Sequence, residues 1–273
     1  MKDASVIPAV TRYAFRGSEI LARSESAAGA EPALFASVAP FDSAGVPLPE
    51  PVDAQDLNAQ TRAESFPQQL EPPDGWTWTP FRSVIGSMTQ PDWHQAARAL
   101  ALLNWRSATR YCGRCGAPNG DKSDEIARWC PACGAISYPR ISPAVLAVVR
   151  RDDRILLARN ALNKTGMWSI LAGFVEPGET LEACVRREVR EEVCIEVAVR
   201  GYLGSQPWPF PDQLMLGMKA DWLSGELAPD GAEIAEAGWF GPDDHPPLPM
   251  HGSLSRALID AAFADISQAG TRR

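Results

Sequence analysis

The sequence predicts an α/β protein, and three observations carry that prediction. Four of the six cysteines sit in two C-x-x-C pairs, Cys112/Cys115 and Cys130/Cys133. From Ser142 onward, short apolar runs of strand type alternate with helical patterns. Within one of those helical patterns, REVREEVCI (187–195), three glutamates fall inside five positions. The expected parts are an N-terminal α+β domain over 1–108, a cysteine module over 109–140 and an α/β domain over 141–273.

The first 108 residues are rich in Pro, Ala and Ser, with strand-like runs at ALFASVA (33–39) and GWTWTPF (75–81). The stretch VPLPEPVDAQD (46–56) reads as a flexible loop because prolines punctuate it. PDWHQAARALALLNW (91–105) reads as a helix: Pro91 suits its start, and Trp93, Ala97, Leu100 and Leu103 approximate one apolar face. Nothing in this region announces a function.

In the cysteine module, fourteen residues separate the two pairs. A C-x-x-C turn aims two thiolates at one point about 2.3 Å away, and two such turns complete a tetrahedral zinc site. Gly113, Gly116 and Gly134 are the residues expected to give the knuckles their backbone freedom. Two disulfides are the alternative, disfavoured where no secretory signal is seen. With all four ligands cysteine, the zinc would be structural and not catalytic.

Beyond the module, PAVLAVVR (143–150) and RILLARN (154–160) read as strands joined by an Arg151-Asp152-Asp153 turn. A glycine-containing loop leads to a helix at about 181–193, with Thr180 as N-cap. Strands follow near 195–203 and 213–223, a short one at Trp239-Phe240, and a closing helix over 253–266. At 3.6 residues per turn, Leu181, Cys184, Val185, Glu188, Glu191 and Glu192 share one side of the first helix, within roughly 120° of arc, while Arg186, Arg187 and Arg190 fall on the other. Carboxylates crowded toward a core repel one another and lose hydration, so they need cations. A divalent metal held by oxygen ligands answers that need, and a structural ion-pair network is the competing answer.

Bulk composition limits the alternatives. A net charge of -8 makes a broad nucleic-acid-binding surface unexpected, without excluding recognition of a single nucleotide or an RNA end. The opening MKDASVIPAVTRYAF lacks a signal-peptide apolar region, and the run Ala144 to Val149 is too short to cross a bilayer, so no membrane association and a cytoplasmic location are expected.

The stretch GFVEPGETLEACVRREVREEVCI (173–195) resembles the box of the Nudix hydrolases, G-x5-E-x7-R-E-U-x-E-E-x-G-U with U a bulky apolar residue. Gly173, Glu179, Arg187, Glu188, Val189, Glu191, Glu192 and Ile195 match it. The resemblance implies an α/β/α sandwich that hydrolyses nucleoside diphosphates linked to another group. It implies that Glu188, Glu191 and Glu192, with the carbonyl of Ala172, ligate Mg²⁺ or Mn²⁺, and that Glu179 pairs with Arg187. Cys194 departs from the box, standing where a glycine ends the helix in a left-handed cap.

SQPWPFP (205–211) reads by itself as a stiff aromatic turn or a polyproline-type ligand. Placed after the box, and with a four-cysteine ribbon before it, it resembles the signature of the NADH pyrophosphatase family within the Nudix hydrolases. That resemblance implies a homodimer that cleaves NAD(H) to NMN(H) and AMP. It implies substrate contacts from Gln206, Pro207, Trp208, Pro209, Phe210 and Pro211, and from Gln213, which stands where the family has serine. Phe174, Tyr138 and Trp208 would stack on bases, Glu125 would accept from base or ribose, and Arg82 would anchor phosphate or ribose. Glu233 would complete the catalytic metal cluster, with Glu236 as its rival, and Ser255 would line the opposite protomer's site. Two further readings stay open: the same site removing an NAD cap from RNA 5′ ends, and a non-catalytic NAD-binding sensor.

Overall fold

The computed structural model describes residues 11–23, 41–42, 51, 53–58 and 61–271. The described chain divides between Ile141 and Ser142 into two compact units, with Pro209–Asp212 grouped with the first.

In the first unit, β1 (Thr11–Arg16), β2 (Glu19–Arg23), β3 (Phe41–Asp42), β4 (Asp53–Asn58), β5 (Thr61–Ser65) and β6 (Trp76–Pro80) form one sheet in the order β4-β5-β1-β2-β6, with β3 on β1. The expected strand at 33–39 lies outside the described residues. Of the expected loop at 46–56, residues 53–56 instead lie in β4, zipped antiparallel to β5 with Asp53 and Gln55 also binding Arg106, while 46–50 and 52 lie outside the described residues. A 3-10 helix (Phe81–Ser87) leads to α1 (Gln90–Ala108), where Thr89 caps the N-terminus through Asp92 N–H. Trp93, Ala97, Leu100 and Leu103 are buried as their spacing requires, and Phe81 stacks on Trp93 with ring centroids 4.5 Å apart. A three-stranded ribbon of β7 (Gly120–Asp121), β8 (Arg128–Trp129) and β9 (Ile136–Ser137) follows.

The second unit is built on a mixed sheet. Its strands are β10 (Ser142–Arg151), β11 (Arg154–Asn160), β12 (Leu171–Phe174), β13 (Glu196–Trp208), β14 (Gln213–Ser224) and β15 (Ile234–Phe240), ordered β13-β14-β10-β11-β15 with β12 beside β10. Two helices cover it, α2 (Leu181–Val193) and α3 (Leu254–Thr271). Alternation along β10 explains the layering. Val145, Ala147 and Val149 pack with Val185, Val189 and Val193 of α2, whereas Leu146 and Val148 pack with Leu258, Ile259 and Phe263 of α3. A strand buried on both faces reads as an unbroken apolar run, which is what Ala144–Val149 is. The result is an α/β/α sandwich. Among the described residues no helix is long and apolar enough to cross a membrane.

Candidate active site

Three elements bring the carboxylates together. α2 carries Glu188, Glu191 and Glu192; the helix starts where Thr180 accepts from Ala183 N–H and ends at Cys194, whose φ of 61° is left-handed. Cys194 N–H donates to the Arg190 carbonyl, so the cap forms without the expected glycine. The carbonyls of Glu192 and Val193 are met by Asp230 and Ala228 N–H, both at 3.1 Å. This satisfies the open end of the helix and draws the 228–234 turn against it. Within that turn, Asp230 accepts from the N–H groups of Ala232, Glu233 and Ile234, and the Glu233 carbonyl accepts from Ala161 N–H. Glu233 is thereby fixed beside α2. Glu236, the rival, is instead ion-paired to Arg159.

The third element is β12. A Cβ on Gly173 would lie 1.8 Å from Cδ of Glu188, so the Glu188 carboxylate occupies the space a side chain would take. Glycine is needed there for close approach and not for an unusual φ, since its φ is not positive.

Electrostatics set these acids apart from surface glutamates. Glu192 is only 6% exposed, and its Oε2 is buried with no hydrogen-bond partner. Loss of hydration, followed by the charges of Glu188, Glu233, Asp230 and Glu191, pushes its pKa up to about 8. Burial also raises Glu188, although Arg187 opposes the shift.

Arg187 pairs with Glu179 as the resemblance implies, and its reach to the acids corrects the helical wheel, which put it on the other side of the helix. Its long arm folds back: Nε and Nη2 clamp the two oxygens of Glu179 at 2.7 and 2.9 Å, and Nη1 meets Glu188 at 2.8 Å and Glu191 at 3.0 Å. Nη2 also donates to the Phe174 carbonyl at 2.9 Å. A helical wheel places Cβ atoms, and a guanidinium reaches well beyond that. The clamp holds Glu179 down at about 2.

The donor set suits a hard divalent cation. Glu188, Glu191, Glu192 and Glu233 offer oxygen ligands, and the unpartnered Oε2 of Glu192 is a buried acceptor that a cation would satisfy. Arg187 supplies one positive charge to a cluster with several negative ones. Among the described residues, however, only the four cysteines bring three or more ligand atoms within 4.8 Å of one another; no three of the glutamates do.

In the cysteine module the two knuckles repeat one hydrogen-bond pattern. Cys112 N–H donates to Ala117 and Gly116 N–H to Cys112; Cys130 N–H donates to Ala135 and Gly134 N–H to Cys130. Gly116 and Gly134 take φ of 76° and 72°, while Gly113 has no positive φ, so the expectation of three glycines reduces to two. Sγ atoms lie 3.7 Å apart for Cys112–Cys133 and 3.4 Å for Cys115–Cys130, without disulfides. Ligands 2.3 Å from a tetrahedral zinc would stand about 3.8 Å from one another, so the thiols are set for zinc.

The remaining expected residues divide between the units. In the first, the Tyr138 hydroxyl donates to Glu125 at 3.2 Å, and Lys122 also pairs with Glu125. Arg82 lies over the Phe210 ring, 4.4 Å from its centroid, and the carbonyls of Pro209 and Pro211 accept from Asn104. In the second unit, Phe174 is exposed on β12, and Ala172 precedes it by two residues. Gln206, Pro207 and Trp208 end β13, where Trp208 pairs with Gln213 of β14. SQPWPFP is therefore the end of a strand plus its turn. The Gln206 side chain is engaged at both ends, donating to the Gly252 carbonyl and accepting from Leu254 N–H at the start of α3. Ser255 shares a 2.7 Å hydrogen bond with Ser169 of its own chain. Sequence reasoning missed Asp230 and Asn104. The spacing of Asp230 before Glu233 suits an Asx turn, whereas the contact from Asn104 spans 105 positions and left no local signal.

Comparison with known proteins agrees with this geometry. The NUDIX domain model matches residues 140–261, and the NADH pyrophosphatase zinc ribbon domain model matches 107–138. A Chromobacterium violaceum protein named NAD-capped RNA hydrolase NudC is 45% identical over 188 residues, 69% of this chain and 71% of its own. A Pseudomonas aeruginosa protein of the same name is 44% identical over 190 residues, 70% of this chain and 68% of its own. With a structural zinc ribbon, a complete set of box carboxylates and these relatives, the chain belongs to the NADH pyrophosphatase family of Nudix hydrolases.

Proposed function

We propose that the chain hydrolyses the diphosphate of NAD(H), releasing NMN(H) and AMP. The observation that carries this reading is Glu192, a buried carboxylate with an unpartnered oxygen, crowded by Glu188, Glu191 and Glu233. Those four residues and the Ala172 carbonyl would hold Mg²⁺ or Mn²⁺, which when bound neutralises diphosphate charge and activates water. Arg187 steadies Glu188 and Glu191 and ties the 174–179 loop to the helix. Gly173 leaves room for the Glu188 carboxylate. Without a cation, Glu192 keeps its proton to about pH 8, so metal binding would release that proton near neutrality.

For the substrate, Phe174, Tyr138 and Trp208 are assigned to base stacking, Glu125 to base or ribose donors, and Arg82 and Gln213 to polar contacts. Pro207, Pro209, Phe210 and Pro211 shape the turn. Gln206 would act through its backbone, because its amide is already taken up by α3. Residues 1–108, 109–140 and 141–273 would act as three domains of a cytoplasmic homodimer, with Ser255 serving the partner's site. Since the relatives are named for it, NAD-capped RNA is the second substrate in this reading.

A panel of NAD⁺, NADH, ADP-ribose, diadenosine polyphosphates and NAD-capped RNA, each with Mg²⁺ and with Mn²⁺, tests the assignment. Turnover of NADH supports it. Good turnover of another dinucleotide with none of NADH would sink it.

A further inference from the structure

One face of the zinc ribbon is built unlike a solvated surface. Tyr111 bridges Pro118, Gly120 pairs with Trp129, and Trp129 pairs with Ile136. Residues two apart along a strand share a face, so Tyr111, Trp129, Ile136 and Tyr138 project to the same side. All four are open to solvent: Tyr111 66%, Trp129 42%, Ile136 49% and Tyr138 57%. Gly120 keeps the middle of the face low, since a Cβ there would sit 3.3 Å from the Trp129 indole nitrogen. Four large apolar side chains on so small a sheet form a patch that a monomer seldom leaves bare.

Charge identifies the occupant. Residues 109–140 carry five cationic and three anionic side chains, a net +2 in a chain of net -8. The anions are already used: Asp121 binds Arg106 and Arg128, while Asp124 and Glu125 bind Lys122. Arg110, Arg114 and Arg140 are exposed and have no carboxylate partner among the described residues. Arg140 continues the exposed alternation of Ile136 and Tyr138, with Ser137 and Pro139 half-buried between them. Flat aromatic side chains with the unpaired Arg140 in line with them are what a single-stranded nucleic acid needs, bases stacking and a phosphate meeting the guanidinium group.

We propose that Tyr111, Trp129 and Ile136, on the ribbon face that also carries Tyr138, bind the single-stranded body of an RNA substrate. The proposal rests on the reading of capped RNA as a substrate. Its test therefore measures RNA binding and catalysis separately.

The probe is a 5′-monophosphorylated, unstructured RNA of about ten nucleotides, followed by fluorescence anisotropy with the full-length, zinc-loaded protein. Trp129→Ala should weaken binding roughly 5- to 150-fold, the loss of one stacked base, and Trp129→Phe should restore most of it. Arg140→Gln should lower the slope of log affinity against log salt by about 0.7, the value of one phosphate contact. Zinc content shows that each variant keeps its ribbon, and NADH turnover should stay unchanged in all of them. Unaltered RNA affinity in Trp129→Ala overturns the proposal. So does a changed oligomeric state with RNA affinity intact, which would make the face a protein interface. If the wild type turned over neither NADH nor capped RNA, the functional reading would fall while the RNA-binding comparison still gave its own answer.

Discussion

Glu192→Gln in protein free of catalytic metal isolates one carboxyl group. Its folded-state pKa is raised from an ordinary 4.5 to about 8, chiefly by burial and then by Glu188, Glu233, Asp230 and Glu191. The folded state therefore holds this proton more tightly than the unfolded chain. Its contribution is complete below about pH 4.5 and shrinks as pH rises, because only the unfolded chain releases the proton; above about pH 8 the loss levels off. Each pH unit in that window costs about 1.4 kcal/mol, so the loss between pH 5.5 and 9 is on the order of 3 kcal/mol. Glutamine keeps the shape and does not titrate. Urea unfolding of both proteins should show Glu192→Gln gaining on wild type by about that amount across the window. With saturating Mn²⁺ the order should reverse, since a cation that binds only the folded state stabilises wild type. A stability difference independent of pH would refute the argument that Glu192 is a desolvated, charge-crowded acid.

Three more predictions follow from neighbouring geometry. Arg187→Ala strips the clamp from Glu179, Glu188 and Glu191; it should cost about 1–3 kcal/mol in urea unfolding and at least about tenfold in kcat. Gly173→Ala sets a methyl group 1.8 Å from Glu188 Cδ, so kcat should fall by roughly 100-fold or more in a protein with normal circular dichroism. Cys194→Gly relieves the φ of 61° at the helix end; it should stabilise the protein by about 1 kcal/mol and leave kcat alone, and a large change in kcat would contradict its role as a cap.

What could be read in advance was what depends on local pattern. Helix α2 begins and ends where Thr180 and Cys194 said it would, since caps are written in adjacent residues. The two knuckles follow from cysteine spacing, and the buried β10 from its apolar run. Long-range contacts stayed hidden. β4 looked like a proline-rich loop because its order comes from β5 and from Arg106, about fifty residues away. Gln206 looked like a ligand residue, and only the fold reveals that the start of α3 lies within reach of its amide. The Glu179–Arg187 pair was legible in the box, whereas the reach of Arg187 to Glu188 was not, because the wheel counts backbone angle and ignores side-chain length.

In the proposed function the carboxylates around Glu192 serve to cleave the diphosphate within NAD(H). Incubating wild type and Glu192→Gln with NADH and Mn²⁺, separating the products and measuring NADH binding in parallel tests it most directly. Wild type should give equimolar NMNH and AMP, and a Glu192→Gln variant that still binds NADH a rate lower by roughly 100-fold or more. Nicotinamide as a product, or two proteins that bind NADH and are equally inactive, would contradict it.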